Sequence, residues 1–419
     1  MLKLNRRGPI LWMIAAGLIV VAVLTYIPHH IRARSAVTSA VALISETNQL
    51  EDQAARREES AQPSFDAAAW FLAHEESPET HGVLIETLDG SRILASLNAD
   101  VTFNPASLVK LSTSLVALSK LGKDFRFQTR VFLASDSKGA AEGKLYVRGN
   151  DPTFGDAGAA LIAKELEARG VKRLSEIVVQ PGFNFNFSDK AEESATRLAK
   201  VLKLGNPKTS VADEAGGQVL VVVNSNPLSD VLLYMNARSS NFMADKIGAL
   251  IGGAEGVRQF LIDELKLSGE YLTLATVSGR EHNRMTARDV LEVIRALIAE
   301  AGRQGLEPAD IMPVASDDTG TLRRRLAGTG LEGAVVAKTG TLTAEVDGGM
   351  TSLAGIVYTE DQGPILFAIL AQGNRIWDNR QMEDALLAEV INAHARPRVV
   401  AGPTPRRLLP ATNVSTSSE

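Results

Sequence analysis

Three short stretches carry residues that could act on one another: Ser107-Leu-Val-Lys110, Ser239-Ser-Asn241 and Lys338-Thr339-Gly340. A serine with a lysine three residues on is a nucleophile with a base, provided the lysine is held neutral. Burial or a second cation lowers an amine's pKa, and Lys338 is a candidate for that cation. Asn104 suits a helix N-cap and Pro105 the first helical position, which places Ser107 in the first turn. Unpaired backbone N–H groups and the positive end of the helix dipole lie there, so the Ser107 N–H could donate to an oxyanion. Lys110 falls on the same helix face. Ser239 could relay a proton towards a leaving group, and the Asn241 amide could bind both the lysine and a substrate backbone. Lys338-Thr339-Gly340 ends the apolar strand Ala334–Ala337 and runs into Thr341-Leu342. A strand edge can pair with an extended peptide, and Gly340 lets that peptide come close. Thr339 could bind a carboxylate, Lys338 could add positive charge, and the Thr341 N–H is a second candidate oxyanion donor. Each such donor is typically worth about 3–4 kcal/mol in the transition state. The chemistry is acyl transfer through a serine ester.

Each stretch alone is weak. Ser135-Asp-Ser-Lys138, Ser96-Leu-Asn98 and Lys208-Thr-Ser210 fit similar patterns. The first lies in a polar turn, the second ends a hairpin strand, and the third lacks glycine and a preceding strand. Isolated copies also read as a helix start with a surface lysine, a Ser/Asn cap or an ordinary strand end. Gly328-Thr-Gly-Leu-Glu-Gly333 fits a dinucleotide fingerprint but precedes a strand instead of following one, so the mechanism fails. The six histidines are scattered, which disfavours a zinc site. His282 reads as structural or surface, and Arg323–Arg325 as a solvated or structural cluster.

The elements needed to position the three stretches are legible. Val83–Leu88 and Arg92–Leu97 flank Asp89-Gly90, a two-residue hairpin signal. Pro105–Leu121 reads as a helix with Leu108, Leu111, Leu115 and Leu118 on one face. Phe125–Ala134, Lys144–Arg148 and Ile177–Gln180 read as strands, with Ala157–Ala168 as a helix. Leu228–Ile251, Ala254–Leu265 and Thr286–Ala301 read as helices. Ala334–Thr339, Met350–Tyr358 and Pro364–Ala371 follow as strands, and Ile376–Ala395 closes as a helix. Two strands early and three late imply one antiparallel sheet built from both ends of the chain. Three distant segments then meet in the cleft between that sheet and a helical lobe.

The chain has 419 residues, a soft prior for about two or three domains. At 45% hydrophobic and 22% charged it is ordinary globular material. A formal net charge of −5 gives no reason to expect nucleic-acid binding. With no cysteine, disulfides, cysteine nucleophiles and cysteine-based zinc sites are excluded. Pro9–Ile27 runs without a charge after Lys3, Arg6 and Arg7. At ~1.5 Å per residue that run spans about 28 Å, close to a bilayer core. It is longer than a signal-peptide core and is followed by Pro28-His29-His30, so an uncleaved anchor with a cytoplasmic tip is the preferred reading over a cleaved signal.

With these features, the chain resembles the penicillin-binding D-alanyl-D-alanine carboxypeptidases and endopeptidases of low molecular mass, class C type, with an inserted domain. The resemblance covers roughly 80–395. Phe103–Leu111 looks like the nucleophile helix, followed by Leu121-Gly122 and Phe125–Thr129. Gly149–Thr153, Pro227-Leu228, Ser278-Gly279, Asn283–Thr286, Gly320–Leu322 and Ser352–Gly355 also match. The resemblance implies an α/β fold: a β-lactamase/transpeptidase-like antiparallel five-stranded sheet flanked by helices, a helical lobe and a small inserted α/β domain. It implies Ser107 as acylated nucleophile, Lys110 as its base, and Ser239, Asn241 and Lys338 completing the proton network. Thr339, Gly340 and Thr341 form the substrate strand. The implied partners are peptidoglycan stem peptides, with β-lactams as covalent inhibitors, and no cofactor is called for. A serine β-lactamase or esterase on the same fold, or a weakly catalytic wall-binding scaffold, are the alternatives. The interval between Ser107 and Ser239 is short for members with two inserted subdomains, so a reduced insertion is expected. Ser240 stands where Asp or Asn is more usual, and Thr276-Val-Ser-Gly279 where relatives often read Asp-Gly-Ser-Gly. The expected organisation is tip and anchor over 1–28, stalk over 29–65, catalytic domain over 66–123 and 216–395, insertion over 124–215 and a disordered tail over 396–419. The expected location is the inner membrane, single-pass, with the catalytic domain in the periplasm. The alternative is a secreted periplasmic protein after signal cleavage.

Overall fold

The computed structural model describes residues 63–135, 141–315, 319–400 and 415–417. The anchor and nearly all of the stalk lie outside the described residues. In chain order, helix α1 (Ala67–Ala73) leads into the hairpin β1 (His81–Thr87) and β2 (Ile93–Leu97). A short strand β3 (Thr102–Phe103) and a single 3-10 turn (Ala106–Leu108) precede α2 (Val109–Leu121). Next come β4 (Gln128–Ala134), β5 (Glu142–Arg148), α3 (Asp156–Ala168), β6 (Arg173–Val179), α4 (Ala191–Leu202), β7 (Lys208–Val211) and β8 (Gln218–Asn224). Helices α5 (Leu228–Arg238), α6 (Asn241–Ile251) and α7 (Gly253–Leu265) follow, then β9 (Met285–Thr286) and α8 (Ala287–Arg303). Strands β10 (Val335–Leu342), β11 (Met350–Val357) and β12 (Ile365–Gln372), helix α9 (Ile376–His394) and strand β13 (Ser415–Ser417) complete the order.

The main sheet runs β10-β11-β12-β1-β2, antiparallel throughout, so it is built from both ends of the chain as the patterning implied. Its strands are apolar on both faces, and the side-chain period of two splits them between two cores. Leu84, Val336, Leu366, Ala368 and Leu370 join the core beneath α2 and α5–α8. Val83, Ile85, Val335, Phe367 and Ile369 join the core with α1 and α9. Fully burying one such side chain stabilises by about 1.5–3 kcal/mol, which fixes the register: a slip by one residue would exchange the two faces.

Helix α2 runs through the first core and is buried on every side from Val109 to Leu118. The single-face expectation was therefore too modest, and all-round burial is what takes Lys110 out of water. Two of its polar side chains find partners in neighbouring segments. Thr113 Oγ1 donates to Val277 O at 2.7 Å, and Ser114 Oγ accepts from Asn236 Nδ2 at 3.0 Å.

The second sheet, β13-β8-β4-β5-β6-β7, is mixed and has its own core with α3 and α4. It includes β8, which pairs with β4, so the insertion extends to Asn224 instead of ending at 215. The helix read over Leu228–Ile251 is two helices. Ser239, at φ +52, closes α5, and the Ser240 side chain caps α6 by accepting the Met243 N–H. The start of the tail is also ordered. Pro397 bridges to Thr359, Arg398 N–H donates to Tyr358 O, and Val400 N–H donates to Gly333 O. Backbone pairing holds this stretch and β13, and such pairing leaves no apolar periodicity to read. Likewise Phe65, assigned to the stalk, pairs through its N–H with Leu94 O and packs on the second core.

Candidate active site

The nucleophile turn differs from the cap expected for it. Asn104 Oδ1 accepts the Ala106 N–H at 3.1 Å, and Ala106 sits at φ +51. Ser107 lies in a 3-10 turn one step ahead of α2, half-buried at the cleft. Two glycines from distant segments press on this turn. A Cβ on Gly279, whose φ is +79, would stand 2.0 Å from Ala106 O, and one on Gly340 would stand 2.9 Å from Pro105 O. Only residues without a side chain fit at either place. Ser352 Oγ also donates to Pro105 O at 3.0 Å.

The structure brings the three stretches together. Lys110 Nζ donates to Ser107 Oγ at 3.0 Å, to Asn241 Oδ1 at 2.7 Å and to Ser278 O. Three acceptors match the three protons of an ammonium. Burial nevertheless disfavours the charge, and the Lys110 amine is pushed down to about 7. Asp245 opposes that shift and Arg280 adds to it, and those two side chains pair at 2.8 Å. Lys338 Nζ donates to Ser239 Oγ at 2.9 Å and to Thr339 O. It is wholly buried, and burial followed by repulsion from Lys110 drives it well below its ordinary value. Two expectations for Lys338 are corrected here. The lowering of Lys110 comes chiefly from burial with Arg280 as the contributing cation, and the Lys338 amine, shut away behind Ser239, has no open path to a substrate carboxylate.

The substrate strand is opened by the backbone. β10 is an edge strand, and its first half is already covered. Ala315 N–H donates to Val335 O, and Ala337 N–H donates to Pro313 O. With a period of two, the N–H groups of Thr339 and Thr341 point to the same outer side as that of Ala337. The cover ends at Ala337, so the free edge begins at the Lys338-Thr339-Gly340 stretch. Thr339 Oγ1 donates to Thr321 Oγ1 at 2.7 Å, and Thr341 Oγ1 donates to Gly340 O and accepts from Arg380 Nη2 at 2.8 Å.

Behind the nucleophile turn lies a network that the residue patterns did not reveal. The Asp347 carboxylate accepts from Arg284 Nη1 at 2.7 Å and from Asn104 Nδ2 at 2.6 Å, and His282 Nδ1 lies 2.8 Å away. Arg284 first, then Asn104 and His282, hold this carboxyl well below the usual carboxylate range against a modest burial penalty. Asn104 thereby ties the Ala106 turn to two loops, donating also to Glu281 O. His282, read as structural or surface, is largely exposed with Nδ1 against Asp347. The arginine run splits, with Arg325 buried against Glu383 and Asp384 and its two predecessors exposed.

Two of the look-alike stretches stay outside the site. Asn98 Nδ2 donates to Pro78 O and His81 O in a turn, and on β7 Ser210 Oγ donates to Glu176 of β6. Residues 136–138 of the remaining one are outside the described residues. Among the described residues no cluster of metal-ligating side chains is found.

Comparison with known proteins agrees with this geometry. Carboxypeptidase DacB of Mycolicibacterium smegmatis is 28% identical over 358 residues, covering 69% of this chain and 75% of that protein. The penicillin G-acylated predatory endopeptidase Bd3459 of Bdellovibrio bacteriovorus has the same fold, with a TM-score of 0.65 at 20% identity over 80% of this chain and 99% of that one. So does penicillin binding protein 4 (dacB) of Haemophilus influenzae, with a TM-score of 0.60 at 18% identity over 74% and 96%. The profile of the D-Ala-D-Ala carboxypeptidase 3 (S13) family matches residues 68–193 and 185–392, most of the chain, and with a serine, two buried lysines and an open strand edge in one cleft, the chain belongs to that family of serine D-Ala-D-Ala carboxypeptidases.

Proposed function

We propose that Ser107 is the nucleophile of a D-alanyl-D-alanine peptidase acting on peptidoglycan stem peptides. The observation that carries this reading is the buried Lys110 amine bridging Ser107 Oγ and Asn241 Oδ1. With its pKa near 7 the amine is neutral in half the molecules at neutral pH. It takes the Ser107 proton as Oγ attacks the carbonyl carbon of the penultimate D-alanine. The tetrahedral oxyanion accepts the N–H groups of Ser107 and Thr341. Ser239, backed by Lys338, relays the proton taken up by Lys110 to the nitrogen of the departing D-alanine as its bond to the acyl carbon breaks. That returns Lys110 to its neutral form and Ser239 to its hydroxyl. Asn241 orients Lys110 and the peptide backbone, while Thr339, Gly340 and Thr341 hold the peptide as an added strand. Water then hydrolyses the ester. β-Lactams present a carbonyl to the same serine and remain attached.

The periplasmic face of the inner membrane is the proposed location, with residues 9–27 as the anchor. Supporting this are the charge-free run and the basic residues before it. Among the described residues no helix is long and apolar enough to cross a membrane, and residues 9–27 lie outside them. Alkaline extraction of membranes carrying the full chain and a chain lacking residues 1–28 tests it: only the former should stay with the lipid.

Labelling with a fluorescent penicillin tests the chemistry. The wild-type protein should take a covalent label and Ser107→Ala none; equal labelling of both would sink the acyl-serine assignment. Release of D-alanine from a stem pentapeptide then establishes the peptidase activity.

A further inference from the structure

A substrate that ends in D-alanine brings a carboxylate into the cleft, and burying that charge without a cationic partner is costly. The cations around the site are committed elsewhere. Lys110 and Lys338 are wholly buried and spend their protons on Ser107, Asn241, Ser278, Ser239 and Thr339. Arg280 is paired with Asp245, and Arg284 with Asp347. Arg380 is different. It sits in the second turn of α9 and donates from Nη2 to Thr341 Oγ1 at 2.8 Å. Among the described residues no carboxylate stands in ion-pair distance of it, because the nearby acids Glu383 and Asp384 are taken by Arg325.

Its place also fits. Gly340 lies against the turn that carries Ser107, so the attacked carbonyl sits beside Gly340 with its oxygen towards the Thr341 N–H. The next carbonyl carbon of an extended peptide is one residue, about 3.3–3.6 Å, away. The Thr341 side chain borders that space, and its hydroxyl already holds the guanidinium. Thr339 and Thr341 present their side chains on one face, since strand side chains repeat every two residues.

We propose that Arg380 is a substrate-binding residue whose guanidinium, with the Thr341 hydroxyl, takes the carboxylate of the residue that leaves. This rests on the acyl-serine reading above. A guanidinium is always charged and offers a planar pair of donors to a carboxylate.

The test compares an N-acylated tripeptide ending in D-Ala-D-Ala with its C-terminal carboxamide, for the wild type, Arg380→Met and Arg380→Lys. Arg380→Met should lower kcat/KM for the acid about 10–100-fold, chiefly through KM, and change the amide less than twofold. Arg380→Lys should recover part of the loss, since it keeps the charge. Equal loss on acid and amide marks a merely structural residue and overturns the proposal; so does no loss on the acid. Acylation by benzylpenicillin against its methyl ester reads the same contrast without peptide turnover. If the wild type cleaves neither peptide, the peptidase reading falls, while the penicillin pair still decides the role of Arg380.

Discussion

Among the ionisable groups shut away from water, Lys110 in the cleft and Asp151 in the insertion invite comparison. Burial moves both towards their neutral forms, the lysine down to about 7 and the carboxyl up to about 6. Their surroundings differ. Lys110 is held by Ser107 and Asn241, half-buried side chains from two segments that line an open cleft. Asp151 is wrapped by its own loop: Thr153 donates to Oδ1 through N–H at 2.8 Å and Oγ1 at 2.7 Å, and Asn184 Nδ2 donates to the Asp151 carbonyl. The same displacement towards pH 7 suits the base proposed in one place and is a cost of a tight turn in the other. A shifted pKa marks chemistry only where its neighbours can react.

The contrast breaks if Lys110 proves dispensable. Replacing it by Met should slow acylation by penicillin about 10³-fold, the scale of a lost general base. In the wild type the amine is protonated below about 7 and neutral above it, so the acylation rate should climb as pH rises through that value. A flat stopped-flow profile from pH 5.5 to 8.5 would remove Lys110 from the base role.

A smaller effect sharpens the cleft side. Asp347→Ala frees Arg284 and Asn104, and with them the φ +51 conformation of Ala106. Loss of charge-assisted bonds of this kind costs about 1.5–3 kcal/mol, which thermal unfolding would register. Acylation should fall about tenfold because Ser107 is less well held. Unchanged acylation in a destabilised variant would confine the network to folding.

The smallest effect on activity belongs to the insertion. Asp151→Asn keeps the oxygen that Thr153 reaches and should leave acylation within twofold. The folded-state pKa is raised, so between about pH 4 and 6 the unfolded chain ionises first. Stability is lost as pH rises through that window, by up to about 3 kcal/mol. Urea unfolding at pH 4 and 7 should show that dependence in the wild type and its absence in the variant. An equal pH dependence in both would place the charge elsewhere.

How far the sequence could be read follows from distance along the chain. The hairpin at Asp89-Gly90 and the closing helix are local patterns, and they fold where the patterns lie. The Ser107–Lys110 pair was legible because a helix turn brings the two together. Helix α4 went unread, and so did β8, although its valine-rich run Val219–Val223 is bounded by Gly216-Gly217 and Asn224 in the manner of a strand. Asp347 sits in a turn between strands and gains meaning only from Arg284 and Asn104, far back in the chain. Arg380 looks like any surface residue of an amphipathic helix until α9 is packed beside β10. Lys338 showed its position but not its burial, which appears only once the strand is packed behind Ser239.

The half-covered edge of β10 has a consequence for how the protein behaves in company. An unpaired strand edge invites the strands of other molecules and is a common start of aggregation. Here residues 313–315 cap the edge up to Ala337, and the nucleophile turn crowds it at Gly340. What stays exposed is a slot only a few residues long, walled by a backbone turn and an arginine. Its length suits one short chain end and is too brief to template a sheet, so the atoms proposed to receive substrate are the same ones that limit pairing with other strands.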